Sequence, residues 1–140
     1  MSKLTPKEYV DIMLKNDRFS RWLGLEIMEI RDGYCQLKMA IKKPMLNGFG
    51  IVHGGIIFSM ADSAFAFASN GGGRISVALD VSISFTKSGV EGDLLFVIAK
   101  EEYSGYKTGL YTVRIENEQG ELIALFKGNV YRTSKTLDQS

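Results

Sequence analysis

The sequence contains very little cysteine, histidine and proline. Its 140 residues include one cysteine, Cys35, one histidine, His53, and two prolines. A single cysteine excludes a disulfide bond within the chain and is typical of proteins in a reducing compartment. With one cysteine and one histidine, a zinc site would have to depend on carboxylates, so we expect no metal site.

The sequence also lacks a charge excess and a long apolar run. It has 17 basic and 16 acidic residues, and no basic run is longer than a pair. A nucleic-acid-binding surface is therefore not expected. The apolar runs are shorter than the ~20 residues of a membrane span, and residues 1–10 lack the apolar core of a signal peptide. These features predict one cytoplasmic domain over residues 1–140, without a nucleic-acid or membrane partner.

The N-terminal part of the sequence predicts helices followed by a β-hairpin. A capping box that begins at Thr5 predicts a helix over residues 5–15, within a helical extension that covers residues 1–20. Residues 25–30 and 34–41 then read as two strands, and the Asp-Gly pair between them indicates a hairpin turn.

Residues 54–70 predict a long helix that is apolar on nearly every side. The segment is rich in alanine and phenylalanine, and Asn70-Gly71 is typical of a helix end. Such a helix is expected to be surrounded by other structure. Its one charged residue is Asp62, and burial of an unpaired carboxylate is costly. Asp62 therefore has either a chemical role or an internal partner such as Asn70 or a serine.

In the remaining sequence, apolar and polar residues alternate with a period of two, which predicts four strands. In the first, the odd-numbered apolar residues from Ile75 to Phe85 are expected on one face. Short glycine-containing turns favour antiparallel neighbours, so an antiparallel sheet would have to curl around the helix, which is an α+β fold. An exposed sheet edge favours pairing with a second copy. The four strands are predicted at residues 74–85, 93–103, 108–117 and 121–132, with a flexible tail at 134–140.

Residues 47–70 also carry a motif. The letters NG at 47–48, HGG at 53–55 and Asp62 nine residues after the histidine resemble the active-site segment of hotdog-fold acyl-CoA thioesterases of the PaaI-type (phenylacetate-pathway) branch. The resemblance covers roughly residues 20–133. It implies a hotdog fold, in which a curled antiparallel sheet wraps one long central helix. We expect a homodimer, with a dimer of dimers as the further assembly.

The resemblance implies hydrolysis of acyl-CoA thioesters with small, medium or aromatic acyl groups. That reaction needs an oxyanion donor, and the first amides of a helix lack internal acceptors. We expect this donor to be the Gly55 N–H, with Gly54 permitting close approach of the substrate. Asp62 would attack the thioester directly or deprotonate a water. The resemblance gives His53 a role in orienting the loop or the thioester; its alternative role is to cap the helix or bond the loop. Asn47 is a candidate for holding a water or the acyl carbonyl, and its alternative role is an ordinary Asn-Gly turn.

The spacing between Asp62 and Gly55 bears on how the site is assembled. Seven residues of helix separate them, which is ~10 Å along the axis. An aspartate side chain does not easily reach a carbonyl held at the N-terminus of its own helix. We therefore expect Asp62 to act on a substrate bound by the glycines of a second subunit.

The coenzyme belongs to the substrate, so no separate cofactor is expected. Its phosphates favour cations and free amides. The resemblance places them near Lys87 and near Lys107-Thr108, each of which is equally consistent with an ordinary surface residue. Some hotdog thioesterases carry a serine or threonine that faces the catalytic water, and that position falls near Ala78 in this sequence.

Two other functions are consistent with the same fold. A hotdog hydratase or dehydratase would remove a proton beside the carbonyl, using a histidine together with a helix carboxylate. A non-catalytic acyl-CoA-binding domain would bind the thioester without releasing a thiol. The histidine followed by two glycines, together with Asp62, favours the thioesterase.

Overall fold

The computed structural model describes residues 4–137. Within that range, two short helices and a hairpin precede a long helix and four further strands, so the predicted order is confirmed. None of the helices in this range is long and apolar enough to cross a membrane. The elements are α1 (Pro6–Asn16), α2 (Arg18–Leu23), β1 (Glu26–Arg31), β2 (Tyr34–Ala40), α3 (Gly54–Asn70), β3 (Arg74–Phe85), β4 (Leu94–Ser104), β5 (Thr108–Glu116) and β6 (Leu122–Thr136).

The six strands form one antiparallel sheet in the order β1-β2-β4-β5-β6-β3. Helix α3 contacts strands β2 to β6, so the sheet curls around it. This is the predicted α+β hotdog architecture. β3 lies at one edge of the sheet, and its outer side has no strand paired to it within residues 4–137.

The aromatic residues at the centre of the core join α3 to the sheet. The Phe65 ring lies 5.7 Å from the Tyr111 ring and 5.3 Å from the Phe126 ring, centroid to centroid. All three side chains are buried. Aromatic pairs at these separations add stability beyond that of area burial. Gly128 on β6 lets the sheet approach Phe65 closely, because it has no Cβ.

Helices α1 and α2 cover part of α3. The predicted capping box is present, because the Glu8 N–H donates to Thr5 Oγ1 and the Thr5 N–H donates to Glu8 Oε1. Tyr9 and Val10 of α1 are buried. Asp17 ends α1 and caps the N-terminus of α2. The N-terminal helices are therefore part of the packed structure.

β3 departs from the predicted alternation. Ala78 lies opposite Val130 and Asp80 lies opposite Asn129, so Leu79 has no residue opposite it. Such a β-bulge moves the alternation by one position, and the apolar residues before and after it fall on opposite faces. The prediction of one continuous apolar face along β3 is therefore wrong. Val77 and Leu79 are exposed, whereas Val81 and Ile83 pack against the core.

The C-terminal strand is longer than the sequence indicates. β6 continues to Thr136, which pairs with Arg74 of β3. Residues 134–136 therefore belong to a strand and not to the expected tail. Leu137 is also held, because its N–H donates to the Gly73 carbonyl, and residues 138–140 of the predicted tail lie outside the described residues.

The substitution Gly128→Ala is expected to lower the free energy of unfolding by about 1–3 kcal/mol, as overpacking typically does. An added Cβ would lie 2.8 Å from the buried Phe65 ring and 3.0 Å from Val81. Gly48→Ala is the control, because nothing lies within 4 Å of its added Cβ. Urea unfolding at a single protein concentration measures both variants, and equal stabilities would contradict this packing.

Candidate active site

A groove of about 390 Å³ lies at the N-terminal end of α3. Three predicted site residues from different segments line it together: Asn47, Gly54 and Lys87. Backbone hydrogen bonds hold the loop in place, since the Val52 N–H donates to the Gly89 carbonyl and the His53 N–H donates to the Met45 carbonyl. The fold therefore assembles one part of the predicted site within a single chain.

Asn47 shapes the loop that leads into α3. Its Oδ1 atom accepts hydrogen bonds from the N–H groups of Phe49, at 2.9 Å, and Ile51, at 3.4 Å. This is the side-chain turn that asparagine commonly forms. The amide nitrogen of Asn47 has no hydrogen bond within residues 4–137, so it is open to a ligand in the groove.

His53 caps the N-terminus of α3. Its Nδ1 atom accepts a hydrogen bond from the Gly55 N–H at 2.8 Å. An accepting Nδ1 carries no proton, so the imidazole of this conformer is neutral with its proton on Nε2. The Gly55 N–H is therefore already engaged, and its predicted role as oxyanion donor, which stays a prediction, requires His53 to turn away.

The Gly54 N–H has no acceptor within residues 4–137. Gly54 is the first residue of α3 and lines the groove, where an added Cβ would lie 3.4 Å from the Phe85 ring. Unpaired amides at a helix N-terminus favour a negatively charged oxygen. Sequence reasoning gave the donor role to Gly55 and treated the histidine cap only as an alternative role of His53, because histidine is an uncommon N-cap residue.

Asp62 lies on an exposed stripe of α3. Gly55, Ser59 and Asp62 follow one another at helical spacing, and Asp62 and Gly55 are exposed. Within residues 4–137, α3 is therefore enclosed by other structure except along this stripe. Within residues 4–137 the Asp62 carboxylate has no hydrogen bond or ion pair, and the pairing with Asn70 or a serine that was considered is absent.

The surroundings of Asp62 nevertheless make it a weaker acid. Partial desolvation by neighbouring atoms raises the pKa of Asp62, and the negative charge of Asp17 raises it further. Both effects favour the neutral form, so the ionised carboxylate is a stronger base than an ordinary aspartate.

Asn70 has a structural role at the other end of α3. Its Oδ1 accepts from the Ser76 N–H at 2.8 Å, and its Nδ2 donates to the Ala66 carbonyl at 2.8 Å. These bonds join α3 to β3. Ser76 therefore lies near the C-terminal end of α3 and does not line the groove of its own chain, and Ala78 carries no hydroxyl.

The candidate coenzyme-binding residues lie in two places. Lys87 lines the groove and forms an ion pair with Glu121 at 3.2 Å, in which both side chains are about half exposed. Lys107 and Thr108 lie at the turn between β4 and β5 and are exposed. They do not line the groove, so within one chain the structure brings only Lys87 to it.

Sequence reasoning missed Asp17. Its carboxylate accepts hydrogen bonds from Ser20, whose hydroxyl also lies 2.7 Å from the hydroxyl of Ser63, the neighbour of Asp62. The available signal was an aspartate followed three residues later by a serine, which reads as an ordinary helix cap. Sequence alone does not reveal that this cap lies beside the middle of α3.

Comparisons with known proteins identify the family to which this chain is similar. Residues 49–124 match the family model described as "Thioesterase superfamily". A putative esterase of Archaeoglobus fulgidus is 45% identical over 89% of this chain and 81% of its own length. Acyl-coenzyme A thioesterase PaaI of Escherichia coli is 38% identical over 89% of each chain.

Solved structures support the same family. The Escherichia coli PaaI protein superposes with a TM-score of 0.92 at 36% identity, covering 94% of this chain and 95% of that one. A hypothetical thioesterase with coenzyme A from Streptococcus pneumoniae has a TM-score of 0.77 at 26% identity, covering 80% and 90%. These matches confirm the predicted resemblance: the chain belongs to the thioesterase superfamily, as a PaaI-like thioester hydrolase with the hotdog fold.

Proposed function

We propose that this protein hydrolyses acyl-CoA thioesters with small, medium or aromatic acyl groups. The observation that carries the proposal is the division of α3 into two functional parts. Its N-terminus opens an unpaired amide into a groove beside Lys87, and Asp62 presents an exposed, unpaired carboxylate farther along. The printed name of the Escherichia coli relative and the coenzyme A in the Streptococcus pneumoniae structure support a coenzyme A thioester as substrate.

The N-terminus of α3 is the proposed oxyanion site. A thioester oxygen in the groove would accept from the open Gly54 N–H, and from the Gly55 N–H once the His53 imidazole turns toward the substrate. The partial positive charge of the helix end favours the charge that develops on this oxygen. Preorganised donors of this kind commonly contribute several kcal/mol to catalysis.

Asp62 is the proposed catalytic carboxylate, by either of two routes. In one, it attacks the carbonyl carbon, the carbon–sulfur bond breaks, CoA leaves as the thiolate, and water then hydrolyses the mixed anhydride. In the other, it takes a proton from a water that attacks the same carbon, the carbon–sulfur bond then breaks, and CoA leaves as the thiolate. Both routes need the ionised form, so activity is lost as the pH falls through the raised pKa of Asp62.

The site is proposed to form across a homodimer. Asp62 and Gly55 are seven residues apart on one helix, or ~10 Å along its axis, so a substrate at the groove is not within easy reach of the same chain's carboxylate. The unpaired outer side of β3 offers a surface for the second copy. An exposed edge strand with apolar side chains is a recognised pairing surface. On β3, Val77 is 48%, Leu79 is 57% and Phe85 is 55% exposed.

Coenzyme A is proposed to reach the groove past Lys87. The ammonium group of Lys87 would exchange Glu121 for a phosphate, which is a stronger acceptor. In the dimer, Lys107 and Thr108 of either chain are further candidates for the phosphates. The association of dimers into tetramers and the cytoplasmic location stay predictions.

Replacement of Asp62 by asparagine is expected to lower kcat by at least about 100-fold, because the amide is neither a nucleophile nor a base. Coenzyme A binding should be retained, since Asp62 has no partner within residues 4–137 whose loss would disturb the fold. An acyl-CoA panel with a thiol readout measures turnover, and calorimetry measures binding. A native protein that binds coenzyme A but releases no thiol from any acyl group would contradict the proposal, as would crotonyl-CoA hydration without thiol release.

Replacement of Lys87 by glutamine should raise the KM for acyl-CoA by about three- to tenfold, the value of one charge-assisted contact, and leave kcat nearly unchanged. The matched substrate is the N-acetylcysteamine thioester of the same acyl group, which has no phosphates. Its hydrolysis should be the same in both proteins. A similar loss on both substrates would show that Lys87 supports the groove and does not bind phosphate.

A further inference from the structure

A chain of hydrogen bonds connects the junction of α1 and α2 to the middle of α3. The Asp17 carboxylate accepts from the Ser20 N–H at 2.9 Å and from the Ser20 hydroxyl at 2.6 Å. The Ser20 hydroxyl in turn lies 2.7 Å from the Ser63 hydroxyl. Ser20 and Ser63 are both buried. Ser63 directly follows Asp62, which lies on the exposed stripe of α3.

The direction of this chain follows from its acid end. An ionised carboxylate only accepts hydrogen bonds, so the Ser20 hydroxyl donates to Asp17. The Ser20 oxygen then accepts from the Ser63 hydroxyl. Each buried hydroxyl is satisfied in this way, and the negative charge of Asp17 is held in a fixed place at the N-terminus of α2.

Among the charged groups on the elements packed against α3, Asp17 is the one that changes the pKa of the Asp62 carboxyl group. Besides Asp62, α3 contains no charged residue. Arg21 of α2 donates to the Lys15 carbonyl, and Arg132 of β6 donates to a carbonyl at the C-terminal end of α3. Within residues 4–137, Asp17 is the one charged group that affects the pKa of Asp62, and it raises it.

We infer that Asp17 is a positioning residue for the thioesterase reaction: its hydrogen bonds to Ser20, which also contacts Ser63, hold its negative charge beside the part of α3 that carries Asp62. The inference rests on the proposed function, in which Asp62 is the nucleophile or general base. Asp17 touches no reacting atom. It acts through the field of its charge and through the connection between α2 and α3.

The variant Asp17→Asn tests this inference. Asparagine is as good a helix N-cap as aspartate, so α2 is expected to form, while the negative charge is removed. The acid limb of the pH profile of kcat/KM should move to lower pH. The plateau value should fall by less than about tenfold, because the base is weakened and not lost. Should Asp17→Asn fail to fold, Asp17→Ser, another neutral cap, performs the same test.

Two further variants serve as controls. Asp17→Glu keeps the charge and should keep the acid limb near that of the native protein. Asp11→Asn removes one negative charge from α1, where Asp11 forms an exposed pair with Lys7 at 3.0 Å, and should leave the profile unchanged. An acid limb that does not move in Asp17→Asn, or that moves equally in Asp11→Asn, would overturn the inference.

A readout without turnover separates this inference from the proposed function. Carbon-13 NMR titration of the Asp62 carboxyl group should show a lower pKa in Asp17→Asn than in the native protein. An unchanged pKa would contradict the inference even if the native protein hydrolyses acyl-CoA. If the pKa of Asp62 is lower in Asp17→Asn but the native protein has no thioesterase activity, the effect of Asp17 on Asp62 is supported and the proposed function is refuted.

Discussion

The packing of one apolar helix inside a curled sheet is the interaction on which the rest of the structure depends. Phe65 on α3 packs against Tyr111 and Phe126 on the sheet, and this contact fixes the rotation of the helix. The rotation decides that the stripe carrying Gly55 and Asp62 stays outside the core. A rigid helix also fixes the spacing along that stripe, so one chain holds the N-terminus of α3 and the Asp62 carboxylate apart.

Much of the fold follows from local signals in the sequence. The capping box at Thr5 and the asparagine-glycine stop at Asn70 predict helix ends, because they concern hydrogen bonds between near neighbours. The bulge at Leu79 was not predictable in this way. It inserts one residue opposite β6, and a regular period-two pattern in a single strand does not reveal the register of its partner.

The candidate site was predictable in its residue types and less so in its contacts. The motif identified Asp62, His53 and the glycines, but a helix composed almost wholly of apolar residues suggested a buried acid, whereas Asp62 is exposed. The His53 cap and the Asp17 charge depend on side-chain conformations and on contacts distant in sequence. No spacing rule reports that Asp17 lies beside α3, since this arrangement forms only after the N-terminal helices pack against α3.

The central claim is that each site combines the α3 N-terminus of one subunit with Asp62 of another, and mixed dimers test it most directly. Gly54→Val, which fills the groove, and Asp62→Asn should each be inactive. If the two variants are unfolded and refolded together in equal amounts, half of the dimers are mixed, and one site of each mixed dimer is fully native. The mixture should then recover about one quarter of the native activity. A mixture no more active than its separate components, with mixed dimers present by native mass spectrometry, would contradict a shared site.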